Sequence, residues 1–115
     1  MRSVSASQGR LQADLTRLLG TLLSREISDV RLVGVSVTRL EFQPASRYIE
    51  VFVHRMGEED AADCIARLNR MAPTFSHALR KALPKRRLPN LRFHWDEAFD
   101  KEGDMLKLLD RLRSQ

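Results

Sequence analysis

The 115-residue sequence contains little cysteine and little glycine, and it has no long apolar run. Its single cysteine, Cys64, excludes an internal disulfide framework and favours a reducing compartment. No apolar run approaches the roughly 18 residues that a membrane-spanning helix needs, so we expect a soluble chain without a membrane partner. The five glycines also form no Gly-rich loop of the kind that binds phosphate.

The residue patterns that carry catalysis or bind metal ions are absent as well. Cys64 lies within a helical pattern with no histidine nearby, so it is interpreted as a half-buried structural residue. His54, His77 and His94 have no cysteine or carboxylate partner at a metal-ligand interval. We therefore expect no enzyme, no cofactor, no metal site and no small-molecule substrate. A small hydrolase would need a pocket that joins His77 or His94 to a carboxylate.

Acidic residues are missing from one long stretch of the chain. The whole sequence has 20 Lys and Arg against 15 Asp and Glu, but no acid occurs between Cys64 and Trp95. Cations without a local counter-charge favour a polyanionic partner, because they can neutralise phosphates. A solvated basic face, or a face paired with the acids at 58–63, is the alternative. The cations of the stretch are Arg67, Arg70, Arg80, Lys81, Lys85, Arg86, Arg87 and Arg92.

Hydrophobic periodicity predicts seven elements in the order α-β-β-α-α-β-α. Leucines recur at helical spacing between residues 8 and 25, and residues 1–7 are expected to form a mobile tail rather than a transit peptide. The apolar alternation of residues 31–42 changes phase near Thr38 and Arg39, which predicts a strand with a β-bulge. Two further strands are predicted at residues 48–54 and within the segment "NLRFHW".

Two helices are predicted between the second and third strands. The first begins at the acidic residues 58–60, and the second begins at Pro73 and ends before Pro84. A last helix follows the acidic residues 100–104. Because a helical crossover permits the third strand to pair parallel to an earlier one, we expect a single α+β domain over residues 8–115. Its three-stranded mixed sheet would carry helices on one face.

The second of these two helices presents a basic face. Opposite its apolar stripe lie Ser76, His77, Arg80 and Lys81, and the basic face continues into residues 85–87. The predicted nucleic-acid-binding residues are of two kinds. Those expected to contact phosphates are Arg80, Lys81, Lys85, Arg86 and Arg87, and those expected to flank the junction at Pro73 are Arg70 and His77. Three aromatic residues with strand-like alternation are alternative base-stacking platforms, but their positions favour core packing. They are Phe42, Phe93 and Trp95.

Three collinear strings resemble the ribosome-binding factor A family, whose members are bacterial small-subunit assembly factors. The strings are "REISDVRL" (25–32), "YIEVFV" (48–53) and "LPNLRFHWDEAFDKEGDM" (88–105). Each string is weakly specific alone, but together their order and spacing are specific. The resemblance implies a KH-type domain of the bacterial kind (type II), ordered α-β-β-α-kink-α-β, with an additional C-terminal helix.

The resemblance also implies a function. We expect a non-enzymatic, monomeric and cytoplasmic protein that binds ribosomal RNA on the free or immature small subunit and assists late rRNA maturation. Where the family has an Ala-x-Gly kink between its central helices, this sequence has Met71, Ala72 and Pro73. We therefore expect an interhelical kink that proline imposes, whereas glycine would only permit it. The alternative is a protein-interaction module of similar fold whose basic face binds an acidic protein.

Overall fold

The computed structural model describes residues 6–26, 32–43, 45–56 and 61–113. In chain order its elements are α1 (Ala6–Glu26), β1 (Ser36–Glu41), β2 (Tyr48–His54), α2 (Ala61–Ala82), β3 (Asn90–Trp95) and α3 (Glu97–Arg113). Residues 1–5 of the predicted tail lie outside the described residues, whereas residues 6 and 7 already belong to α1. The acidic residues 58–60, predicted to begin a helix, also lie outside them.

α1 forms because leucines recur at helical spacing along one of its sides. Leu15, Leu19 and Leu23 lie one turn apart and are buried. The side-chain amide of Gln12 donates a hydrogen bond to the backbone carbonyl of Leu40 at 2.7 Å. This bond and the leucine stripe hold α1 against β1.

The sheet is mixed, with the strand order β1-β2-β3, as the sequence predicts. β1 and β2 are antiparallel, and their register shifts between Val37 and Arg39, which confirms the predicted bulge. β3 pairs parallel to β2, with Tyr48 opposite Asn90. A parallel pair needs a long crossover, and α2 supplies it.

Alternation along the strands separates a buried face of the sheet from an exposed one. Ile49, Val51 and Phe93 are fully or almost fully buried against the helices. Phe42 and Trp95 pack against the same core. The interpretation of the three aromatic residues as core residues is therefore confirmed.

α2 is one continuous helix, so the predicted separation of two helices at Met71, Ala72 and Pro73 is corrected. Pro73 lies inside the helix, where its missing N–H removes one backbone hydrogen bond to the carbonyl of Asn69. The apolar stripe nevertheless continues through this point without a change of phase. Its burial stabilises the helix by more than one lost hydrogen bond costs. A bend at Pro73 stays a prediction. The buried residues of the helix are Cys64, Leu68, Ala72, Phe75, Ser76 and Leu79.

α3 begins at Glu97, earlier than the acidic residues 100–104 suggest. Asp96 caps it, because its Oδ1 accepts a hydrogen bond from the backbone N–H of Phe99 at 3.1 Å. The apolar side chains toward the end of the helix are exposed, so this stripe does not cover the sheet. They are Met105, Leu106, Leu108, Leu109 and Leu112. Within the described ranges, no helix has both the length and the hydropathy that crossing a bilayer requires.

Candidate nucleic-acid interface

The predicted RNA-binding residues lie along one side of α2 and in the loop that follows it. All seven are exposed, and helical spacing places those of α2 on the side opposite the core. At the end of α2 the backbone N–H of Arg86 donates to the carbonyl of Leu83 at 3.1 Å, which forms a turn. We call this set the basic surface: Arg70, His77, Arg80, Lys81, Lys85, Arg86 and Arg87.

Two of the eight cations in the acid-free stretch have carboxylate partners, and neither belongs to the basic surface. Nε of Arg67 lies 2.7 Å from Oδ2 of Asp63. Nε of Arg92 lies 3.0 Å from each carboxylate oxygen of Glu50. The expectation that all eight lack a counter-charge is therefore wrong for these two. The six cations of the basic surface form no ion pair with any residue that the structure describes.

A groove of about 420 Å³ separates α2 from the outer edge of β3. Asn69 bridges the two elements, because its side-chain amide accepts from the N–H of Phe93 at 2.8 Å and donates to its carbonyl at 3.3 Å. Arg80 bridges them again, with a guanidinium nitrogen 2.7 Å from Oδ1 of Asn90. Ser76, expected opposite the apolar stripe, is instead buried, because it follows the buried Ala72 by one helical turn. Its hydroxyl lines the groove and has no hydrogen-bond partner among the described residues. Asn69 and Arg80 thus join α2 to β3 beside the basic surface.

Sequence reasoning missed one arginine that the fold brings to the basic surface. Arg47 lines a cavity of about 460 Å³ together with Arg80, Arg86 and Arg87. It lies outside the acid-free stretch, so the charge pattern does not mark it. The position of Arg47 follows from the parallel pairing of β2 and β3. This pairing places the residues that precede both strands at the same end of the sheet.

The face of the sheet opposite the helices carries opposite charges that compensate one another. We call it the open sheet face, and its central residue is Glu50. Arg92 lowers the pKa of Glu50 below its ordinary value, burial acts in the opposite direction, and the hydrogen bond with His94 adds to the lowering. Arg92 also lies over the ring of Tyr48, 4.4 Å from its centroid. This charge balance makes the open sheet face a weaker anion-binding surface than the basic surface.

His94 meets one condition for the hydrolase alternative, because its Nε2 lies 2.5 Å from Oε2 of Glu50. The small cavity beside Glu50 is lined by Tyr48 and Arg92 but not by His94. The carboxylate is also shared with Arg92, so the pair resembles a cross-strand ion pair more than an acid–base site.

Cys64 is fully buried in the core, at 2% exposure, rather than half-buried as expected. The described part of the chain contains no group of three or more His, Cys, Asp or Glu side chains placed to hold a metal ion.

Known proteins resemble this chain in sequence and in fold. A family model described as ribosome-binding factor A matches residues 7–109. Ribosome-binding factor A of Phenylobacterium zucineum is 38% identical over 109 residues, which cover 90% of this chain and 75% of that protein. The protein of the same name from Pseudomonas aeruginosa strain UCBPP-PA14 is 31% identical over 105 residues, covering 89% and 81% of the two chains.

Solved structures agree with these relatives. The crystal structure of ribosome-binding factor A from Thermus thermophilus matches with a TM-score of 0.66 at 26% identity, covering 76% of this chain and 92% of that one. A Thermus thermophilus model fitted into the cryo-EM map of a 30S–RbfA complex matches with a TM-score of 0.63 at 28% identity, covering 76% and 93%. The resemblance seen in the sequence is thus confirmed over most of the chain, which belongs to the ribosome-binding factor A family.

Proposed function

We propose that this protein is a non-enzymatic ribosome assembly factor. It would bind ribosomal RNA on the free or immature small subunit and assist the late maturation of that RNA. Family membership supports the proposal, as does the relative fitted into a map of a complex with the 30S subunit. Ribosomal subunits are assembled in the bacterial cytoplasm, so the proposal places the protein there.

The observation that carries the proposal is the basic surface. Its six cations are exposed and form no ion pair with described residues, so their charge is available to a ligand. RNA offers a regular array of phosphates, and each arginine that contacts a phosphate displaces a counterion. The open sheet face offers no comparable surplus of positive charge, since Arg92 forms an ion pair with Glu50.

Substitution of two loop arginines tests the proposal. We expect Arg86→Ala combined with Arg87→Ala to weaken binding to purified small subunits. We also expect it to lower the slope of log affinity against log salt by roughly one per lost phosphate contact. The measurement is co-sedimentation at several salt concentrations. A matched control is Arg10→Ala with Arg25→Ala, which removes the same charge from exposed positions on α1. Equal affinity and slope in the two double variants would contradict the proposal.

The alternative is a protein-interaction module whose basic surface binds an acidic protein, because cations that form no ion pair with described residues are available to carboxylates as well as to phosphates. Salt does not separate the two functions, because both kinds of complex weaken as ionic strength rises. Complete digestion of the RNA does separate them. Our proposal predicts that the association is lost on digestion, whereas a complex with an acidic protein would survive.

A further inference from the structure

The cavity that Arg47 shares with Arg80, Arg86 and Arg87 lies between two loops that are far apart in sequence. We infer that these four arginines bind neighbouring phosphate groups of a single RNA strand, and that Arg47 is an RNA-contacting residue. The inference rests on the proposed function, and it adds Arg47, which the charge pattern of the sequence does not mark.

Hydrogen bonds fix described residues of both loops before any ligand arrives. In the turn before β2, the N–H of Ser46 donates to the carbonyl of Gln43 at 2.9 Å, and the N–H of Gln43 donates to the Ser46 hydroxyl at 3.0 Å. In the loop before β3, the N–H of Arg86 donates to the carbonyl of Leu83. Parallel pairing fixes the ends of the two strands side by side. The positions of the arginine backbones therefore require little ordering on binding, which favours affinity.

The charges in this cavity are not compensated by the described part of the protein. Arg80 is held by a neutral group, the amide oxygen of Asn90, so its position is fixed while its positive charge is kept. The other three arginines are exposed and form no ion pair with described residues. Like charges that converge in this way repel one another, and an anion between them relieves the repulsion.

The lining of the cavity favours phosphates over bases. Among the described residues it contains no aromatic side chain on which a base could stack, and the rest of its lining is Ser46, Leu88 and Pro89. The cavity is also open to solvent, whereas sites for free nucleotides bury most of their ligand. The planar guanidinium group matches phosphate oxygens in a two-point contact. The phosphate backbone of a polymer fits these features, because it can pass across an open cavity and contact the arginines without stacking its bases there.

The test is the binding of the full chain to purified small subunits, measured across a range of salt concentrations. We expect Arg47→Ala to weaken binding about tenfold and to lower the salt slope by roughly one, as the loss of one phosphate contact predicts. Arg25→Ala, which removes an exposed charge from α1, serves as the control and should leave both quantities unchanged. Arg47→Lys keeps the charge, so it should restore the salt slope while recovering only part of the affinity.

The outcomes separate this inference from the proposed function. If Arg47→Ala binds like the wild type while the Arg86 and Arg87 double variant binds weakly, the inference is overturned and the proposed function stands. If neither variant weakens binding, both are overturned. If Arg47→Lys is as weak as Arg47→Ala with an equally reduced slope, Arg47 does not act through its charge, and the inference is again overturned.

Discussion

At the scale of single residues, Asp96 joins α3 to β1 through one buried carboxylate. It caps α3 through the N–H of Phe99, and its Oδ2 lies 2.5 Å from the hydroxyl of Thr38 in the bulge of β1. Nε of Arg39 lies 3.7 Å from the same oxygen. Burial would raise the pKa of Asp96, but the bonds from Thr38 and Phe99 and the charge of Arg39 hold that pKa below its ordinary value.

This arrangement predicts a pH-dependent loss of stability when Asp96 is removed. Asp96→Ala should lower the free energy of unfolding by about 2 kcal/mol at pH 7, since it removes a helix cap and a charge-assisted hydrogen bond. Because the folded pKa lies below the unfolded one, the ionised carboxylate stabilises the fold above its unfolded pKa, and this contribution is lost as the pH falls through the folded pKa. The difference between variant and wild type should therefore shrink below about pH 4.

Urea unfolding at pH 7, 5 and 3 measures this prediction. Glu97→Ala is the control, because Glu97 is the exposed neighbour of Asp96 on the same helix end. A difference between Asp96→Ala and wild type that stays constant across the three pH values would show that the carboxylate charge is not involved.

Single residues also show which features of the charged side chains could be predicted from the sequence and which could not. The exposed side of α2 could be predicted, because the periodicity of its apolar residues fixes which side faces water. The pairing of Arg92 with Glu50 could not, since the two residues lie 42 positions apart and meet only through the parallel register. Arg67 and Asp63 form a pair at helical spacing, which the sequence does contain.

At the scale of elements, α2 shows a conflict between a local rule and tertiary packing. A proline inside a helix costs about 3 kcal/mol, which favours a boundary at Pro73. The buried stripe of α2 keeps its phase on both sides of that residue, and this continuity was visible in the sequence. Strands β2 and β3 presented no such conflict, because alternation and β-branched or aromatic residues agreed. Their bounds could therefore be predicted.

Replacement of Pro73 tests whether the helix is continuous in solution. Pro73→Ala should raise the free energy of unfolding by about 2 kcal/mol, because it restores the donor to the Asn69 carbonyl and removes the ring. Pro73→Gly should also raise the free energy of unfolding, but by about 1 kcal/mol less than Pro73→Ala. Urea unfolding measures both variants, with Thr74→Ala as a control at the exposed neighbouring position. Destabilisation by alanine would mean that α2 packs correctly only in the shape that the proline imposes.

At the scale of the whole molecule, the topology assembles the basic surface. The crossover through α2 makes β3 run parallel to β2, so the turn before β2 meets the loop before β3. The mixed sheet could be predicted from the order of the elements, as could the side of α2 that faces solvent. The position of Arg47 beside Arg86 could not, because it depends on which strand β3 joins and in which register.

If the basic surface contacts ribosomal RNA on the free small subunit, its residues should crosslink to that RNA. Ultraviolet crosslinking of the full chain to ribosomal particles, followed by mapping of the crosslinked peptides, tests it most directly. We expect crosslinks from residues 70–87 and from Arg47, with more on free small subunits than on complete ribosomes. Crosslinks confined to the open sheet face or to α3, or equal recovery from both kinds of particle, would contradict it.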